Sequence, residues 1–146
     1  MLSGLSSSIG ERELQTLGAR FALPETALHL RQVRPSIGPG NALLLRVRHE
    51  HHTETFTGHG ERGTSAENVA MRLADEARAW LGSDACVAEH LSDQLLLPMA
   101  LAGGGAFTTP VISDHLRSNA RLIGQFLPVG IEWIETPCGW RVTVAS

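Results

Sequence analysis

Two polar patches carry the residue types that do chemistry. The first is His90, Asp93 and Gln94, spaced i, i+3 and i+4, so one helix face would present an imidazole, a carboxylate and an amide together. The second is Ser113, Asp114 and His115, followed by Leu116, Ala120, Ile123 and Phe126 at helical period. Ser113 is a good N-cap, and Asp114 suits a first turn. His115 then stands among backbone N–H groups that lack intrahelical partners and attract phosphate oxygens. A neutral imidazole beside a bound phosphate is a competent nucleophile at phosphorus. A plain cap followed by a surface histidine has the same pattern, and spacing alone does not separate the two readings.

The elements that position these patches follow from the flanking sequence. Val87, Leu91 and Leu95 form an apolar stripe beside the first patch, so that helix faces a core. It becomes apolar all round at Leu95, Leu96 and Leu97 and meets Pro98, which cannot donate to the Gln94 carbonyl and crowds it. A kink or tightening is expected there. Gly103 to Gly105 reads as a turn, and it is not a phosphate loop because no Lys-Ser/Thr ending follows. Ala106 to Thr109 reads as a short strand leading to the His115 helix, which Pro128 closes. Ile131 to Glu135 and Trp140 to Val144 read as two strands around a Pro-Cys-Gly turn.

Upstream, residues 3–10 read as coil, and Ser8 with Glu11 has capping-box spacing. The helix that follows carries Leu14, Leu17 and Phe21 on its buried side and ends at Pro24. Leu28 to Arg34 reads as a strand, and Pro35 to Gly40 as a loop. Asn41 to Glu50 alternates, with Leu43, Leu45 and Val47 on one face and Leu44, Arg46 and Arg48 on the other. Thr53 to Thr57 pairs with it as a hairpin. Thr64 and Glu67 repeat the capping-box spacing before a helix carrying Val69, Leu73, Ala77 and Trp80, which Gly82 ends. His49, His51, His52 and His59 gather near the hairpin. On a strand His49 and His51 would share a face and His52 would point away, and no carboxylate or cysteine completes a usual zinc set. The cluster is read as a solvated hairpin end.

The pattern is therefore α+β, a helix, three strands and a helix, then helix, strand, helix, strand, strand. At 146 residues, with 42% hydrophobic and 18% charged side chains, the chain can build one core or two small ones and is not compositionally disordered. A net charge of -3 excludes a broad basic surface for long nucleic acid, though Arg117 and Arg121 lie on the His115 helix. Cys86 and Cys138 are too few for a disulfide framework and fit no zinc pattern, so both are expected as reduced thiols in a cytoplasmic protein. No signal peptide or membrane span is expected.

The blocks ERELQTLGARFAL, GPGNALLLRV, GTSAENVA, EHLSDQLLLPMALAGGGAFT, SDHLRSN and FLPV resemble, in order, those of RNA 3'-terminal phosphate cyclases. The family's histidine-x-x-Thr-Asn signature stands as His115, Leu116, Arg117, Ser118 and Asn119, with serine replacing threonine. The resemblance implies that His115 is catalytic and takes AMP from ATP. It implies that the nucleotide block is His90, Leu91, Ser92, Asp93 and Gln94, with His90 where an aromatic residue, often tyrosine, is usual. Asp93 is the carboxylate there suited to touch either the nucleotide's ribose or a Mg²⁺ or Mn²⁺ ion. The product would be a 2',3'-cyclic phosphate at an RNA 3'-phosphate end.

The same resemblance divides the chain into an insert domain, 1–82, and the C-terminal part of the catalytic domain, 83–146. The latter is a βαβαββ-type repeat of the cyclase and enolpyruvyl-transferase-like superfamily, lacking its opening strand at the N-terminus. That edge should be exposed unless a partner covers it. Family members are considerably longer, so an N-terminal cyclase segment would be supplied in cis or in trans. Two rivals follow. Cyclase-like proteins of ribosome assembly lose the histidine that is present here, and a catalytically silent fragment would act as an RNA- or protein-binding module.

Overall fold

The computed structural model describes residues 1–50 and 52–146. The chain divides into two compact units, Met1–Arg78 and Ala79–Ser146. The division falls inside a helix, whereas the resemblance places the boundary at residues 82–83.

In the first unit, β1 (Leu2–Ser3), β2 (Gly40–Arg48) and β3 (Thr53–His59) form an antiparallel sheet in that order. Two helices accompany it, α1 (Ser7–Phe21) and α2 (Ala66–Leu81). The alternation in β2 is realised, with Leu43 and Leu45 buried and Leu44, Arg46 and Arg48 exposed. Phe56 of β3, directly opposite Leu45, is buried with them. α2 turns Val69, Ala70, Leu73, Ala74 and Ala77 inward. It approaches β3 closely at Gly58, where an added Cβ would lie 3.3 Å from the Val69 side chain. Arg12 pairs with Glu67 at 3.0 Å and Arg20 with Asp75 at 2.5 Å, linking α1 to α2.

Local signals are shifted in four places. Ser6, not Ser8, caps α1 and accepts from the Ser8 amide. Ser65, not Thr64, accepts from the Asn68 amide three residues on, the N-cap geometry of α2. Residues 3–10 contain the end of β1 and the start of α1 rather than coil. Leu28 to Arg34 is not a strand but a single parallel bridge, Leu2 to Gln32, flanked by Leu2 N–H to Arg31 and Val33 N–H to Leu2. Its partner β1 spans only two residues, so no longer ladder can form.

The second unit contains α3 (Glu89–Leu101), β4 (Gly104–Thr109), α4 (Asp114–Phe126), β5 (Gly130–Thr136) and β6 (Gly139–Ala145), in the expected order. The sheet runs β4-β6-β5, antiparallel throughout. Phe107, Val142 and Trp133 lie in one row across the three strands. They pack with Leu96 and Ala100 of α3 and Leu116, Ala120 and Ile123 of α4 in one core. Burying each of the larger aliphatic side chains, Leu96, Leu116, Ile123 and Val142, contributes roughly 1.5–3 kcal/mol.

Here too the pattern needs correcting. Val87 is buried but precedes α3. α3 continues past Pro98 to Leu101. β4 begins within the glycine run, at Gly104. Phe126 ends α4 but is 77% exposed. The outer side of β4 is covered in part by this chain itself, because Cys86 N–H donates to Thr108 Oγ1 and Val87 N–H to the Thr108 carbonyl. Among the described residues, no helix is long and apolar enough to cross a membrane.

Candidate active site

α3 and α4 both start from the end of the sheet where Thr108 lies. Val87, pinned to Thr108, leads into α3, and α4 begins shortly after Thr109. The two helices therefore run in the same direction, and they pack against each other. Ser113 caps α4, its hydroxyl accepting from the Leu116 amide at 3.2 Å while its carbonyl accepts from the Arg117 amide. The N–H groups of Asp114 and His115 precede the first intrahelical donor, so they face outward as a small anion-attracting array. The His115 side chain is exposed in that turn.

Asn119 lies one turn beyond His115 on the same face of α4. It donates from Nδ2 to Asp93 Oδ2 at 3.5 Å. That contact fixes the pairing of the helices. Asp93 is the fifth residue of α3 and Asn119 the sixth of α4, so the two sit at similar depth. The first turns holding His90 and His115 are thus neighbours at the same end of the pair.

The block expected to hold the nucleotide separates into two sides. His90 and Gln94 are exposed and Asp93 is half-buried, so these three share the outward face. Leu91 packs against the core, and Ser92 is fully buried with its hydroxyl donating to the Glu89 carbonyl at 2.6 Å. The signature that ends at Asn119 gives this residue no role of its own; its i+4 spacing from His115 sets it on the same helix face. Arg117 is an exposed residue whose guanidinium lies 5.5 Å from the Trp133 ring centroid, while Arg121 stands exposed on the next turn.

Among the described residues, no group of three or more His, Cys, Asp or Glu is placed to hold a metal. A resident metal cage therefore finds no ligand set among the described residues. The half-buried Asp93 fits only a single-carboxylate contact, the kind that a Mg²⁺ ion carried on phosphates accepts. At the hairpin, the His49 and His52 rings stack at 5.2 Å, against the expectation that His52 points away. Both lie in the turn beyond the strand ends, where strand alternation no longer applies. His51 lies outside the described residues.

Residues 10–133 match the protein family described as RNA 3'-terminal phosphate cyclase. The chain is 53% identical over 130 residues to a protein of that description from Pseudomonas fluorescens, covering 89% of this chain and 38% of the relative. It is 49% identical over 131 residues to one from Pseudomonas aeruginosa, covering 90% and 38%. With one from Salmonella enteritidis it shares 46% identity over 146 residues, all of this chain and 42% of the relative. The chain thus spans about two-fifths of the length of the curated relatives it matches.

Proposed function

The chain belongs to the RNA 3'-terminal phosphate cyclase family, and from that premise we propose that His115 is its nucleophile toward ATP in RNA 3'-end processing. The observation that carries this reading is the exposed His115 in the capped first turn of α4, tied through Asn119 to Asp93 of the nucleotide block.

The neutral imidazole attacks the α-phosphorus of ATP. A nitrogen–phosphorus bond forms, the bond to pyrophosphate breaks, and AMP is left on His115. An oxygen of the RNA 3'-phosphate then takes the AMP and frees the imidazole. The vicinal 2'-hydroxyl attacks that activated phosphate, closes the 2',3'-cyclic phosphodiester and expels AMP. The free N–H groups at the start of α4 would meet phosphate oxygens as negative charge shifts among them. His90 and Gln94 would line the nucleotide side, with the Gln94 amide free to donate and accept. Leu91 and Ser92 hold that face through packing. Asp93 would take the ribose hydroxyls or a phosphate-borne Mg²⁺ or Mn²⁺, which when bound offsets phosphate charge.

Incubation with α-labelled ATP tests this. An acid-labile, alkali-stable label on the chain, absent from the His115→Ala variant, is expected. Label persisting in that variant overturns the assignment. A folded chain that takes no label is a silent RNA- or protein-binding module, or needs the remainder of its relatives' length.

A further inference from the structure

Both helices of the first unit lie against one face of its sheet. Asn41 on β2 donates to Glu13 of α1, and Gly58 on β3 approaches Val69 of α2, on the face that also buries Leu43, Leu45 and Phe56. Strand alternation turns the intervening residues the other way. There Leu44, Arg46 and Arg48 of β2 stand opposite Thr57, Thr55 and Thr53 of β3, and all six are exposed. His59 ends β3 on the same face, opposite Ala42.

This open face segregates charge. Glu54 is the one carboxylate within β2 and β3, and it is 3% exposed on the opposite face. Glu50 and Glu61 lie beyond the strand ends. On the helix side, Arg12 and Arg20 are occupied by Glu67 and Asp75. Arg46 and Arg48 have no ion pair or side-chain hydrogen bond among the described residues.

Residues two apart on a strand stand about 7 Å apart. Side chains directly opposite each other lie about 5 Å apart. The face therefore presents one unit twice, a guanidinium beside a hydroxyl, with Thr53 serving Arg48 and Thr55 serving Arg46. A single small anion would occupy one unit and leave the other. A chain of anions meets both, and the spacing suits successive phosphates of an extended single strand. Guanidinium forks match phosphate oxygens, and each hydroxyl adds a donor. Phe56, the one Phe, Tyr or Trp of the two strands, is buried on the other face, so contact runs along a backbone and reads no sequence.

We propose that the open face of β2 and β3 binds the backbone of a single-stranded RNA, with Arg46 and Arg48 on successive phosphates and Thr55 and Thr53 donating beside them. The choice of RNA as the repeating anion rests on the function proposed above. The face itself lies wholly within the first unit and uses nothing at His115. Two contacts on a chain of net charge -3 give a weak, salt-sensitive hold on the body of the RNA.

The probe is an oligouridylate ending in a 3'-hydroxyl, which offers no terminal phosphate to the chemistry at His115, titrated into the full chain by amide-resolved NMR. Shifts are expected along residues 44–48 and 53–57. The logarithm of affinity should fall with the logarithm of salt concentration at a slope of about -1.4, the value for two phosphate contacts on a single strand. Arg46→Ala and Arg48→Ala, both at exposed positions, should each weaken binding about tenfold and bring the slope to about -0.7. Arg72→Ala removes an exposed arginine of α2 and should change neither, and His115→Ala should bind as the parent does. A chain that takes AMP at His115 but shows no shift on this face overturns the present proposal and leaves that of His115 standing. The shifts without any label do the reverse. Shifts confined to other residues, a slope unmoved in both arginine variants, or equal binding of a polyglutamate peptide of the same charge each overturns it.

Discussion

Asn119 on α4 donates its side-chain amide to Asp93 on α3 at 3.5 Å. Each stands within one turn of a histidine on its own helix, Asn119 after His115 and Asp93 after His90. The contact therefore couples the helix that carries the proposed nucleophile to the block that would hold its substrate.

Asn119 acts in this arrangement as a positioning residue. Asn119→Ala should cost about 0.5–1.5 kcal/mol of stability, the usual worth of one partly buried hydrogen bond. It should also slow label transfer from ATP to the chain by roughly tenfold at saturating nucleotide, because small misplacements of a reacting group are expensive. Asn119→Asp, which sets a second carboxylate against Asp93, should be slower still, and Asn119→Gln should recover part of the rate. Single-turnover labelling beside thermal melts of the three variants checks this. Rates that merely follow stability would reduce Asn119 to a packing residue.

The core of the second unit separates two side chains that pattern treats alike. Leu116 is fully buried, whereas Phe126 is 77% exposed at the end of the same helix. Leu116→Ala should cost about 2–5 kcal/mol. Phe126→Ala should stay within about 0.5 kcal/mol. Denaturant melts of both variants decide it, and a large loss at Phe126 would show that its ring is covered in solution.

The contrast shows what was legible in the sequence. α4 is readable because one segment holds its cap at Ser113 and its apolar period through Ile123. β2 is readable because Leu43, Leu45 and Val47 alternate with Leu44, Arg46 and Arg48. Leu28 to Arg34 has strand composition, yet a strand exists only through its partner, and Leu2 supplies a single bridge. The caps slip because neighbouring hydroxyl residues, Ser6 beside Ser8 and Thr64 beside Ser65, compete for one role and tertiary packing chooses. Within the site, His115 and Asp93 carry local signals. The Asp93–Asn119 contact joins positions on separate helices and carries none. The same holds for Glu13, whose burial beside Asn41 depends on a contact across 28 positions.

Cys138 lies in the turn between β5 and β6, beside a cavity of about 230 Å³ that Asp84, Thr108 and Arg141 also line. The Asp84 carboxylate holds its thiol above the ordinary value of 9.0, by accepting its hydrogen bond and by like-charge repulsion of the thiolate. Less thiolate is then present at mildly alkaline pH, and alkylation slows. Asp84→Asn should speed iodoacetamide modification of Cys138 and shift its pH profile downward. Cys86, already exposed, serves as the internal reference for reagent activity. A Cys138 rate unchanged by the substitution would show that Asp84 does not hold the thiol.

Burial also pushes the Glu13 carboxyl above its ordinary value of 4.5, and the hydrogen bond from Asn41 opposes that rise. A carboxyl raised in the folded state holds its proton more tightly there than in the unfolded chain. Its support for the fold is therefore complete below about pH 4.5 and is lost as pH climbs through the folded-state value. Above that window the charged carboxylate is buried with only part of its solvation replaced. Glu13→Gln keeps the shape and an acceptor for the Asn41 amide but removes the charge. Its melting temperature should exceed that of the parent chain at neutral pH, and the advantage should shrink as pH falls toward 4.5. Melts of both proteins across that range measure the slope directly. An advantage independent of pH would mean that Glu13 does not titrate with folding, and a neutral-pH loss would mean that the carboxylate is better paired than its burial implies.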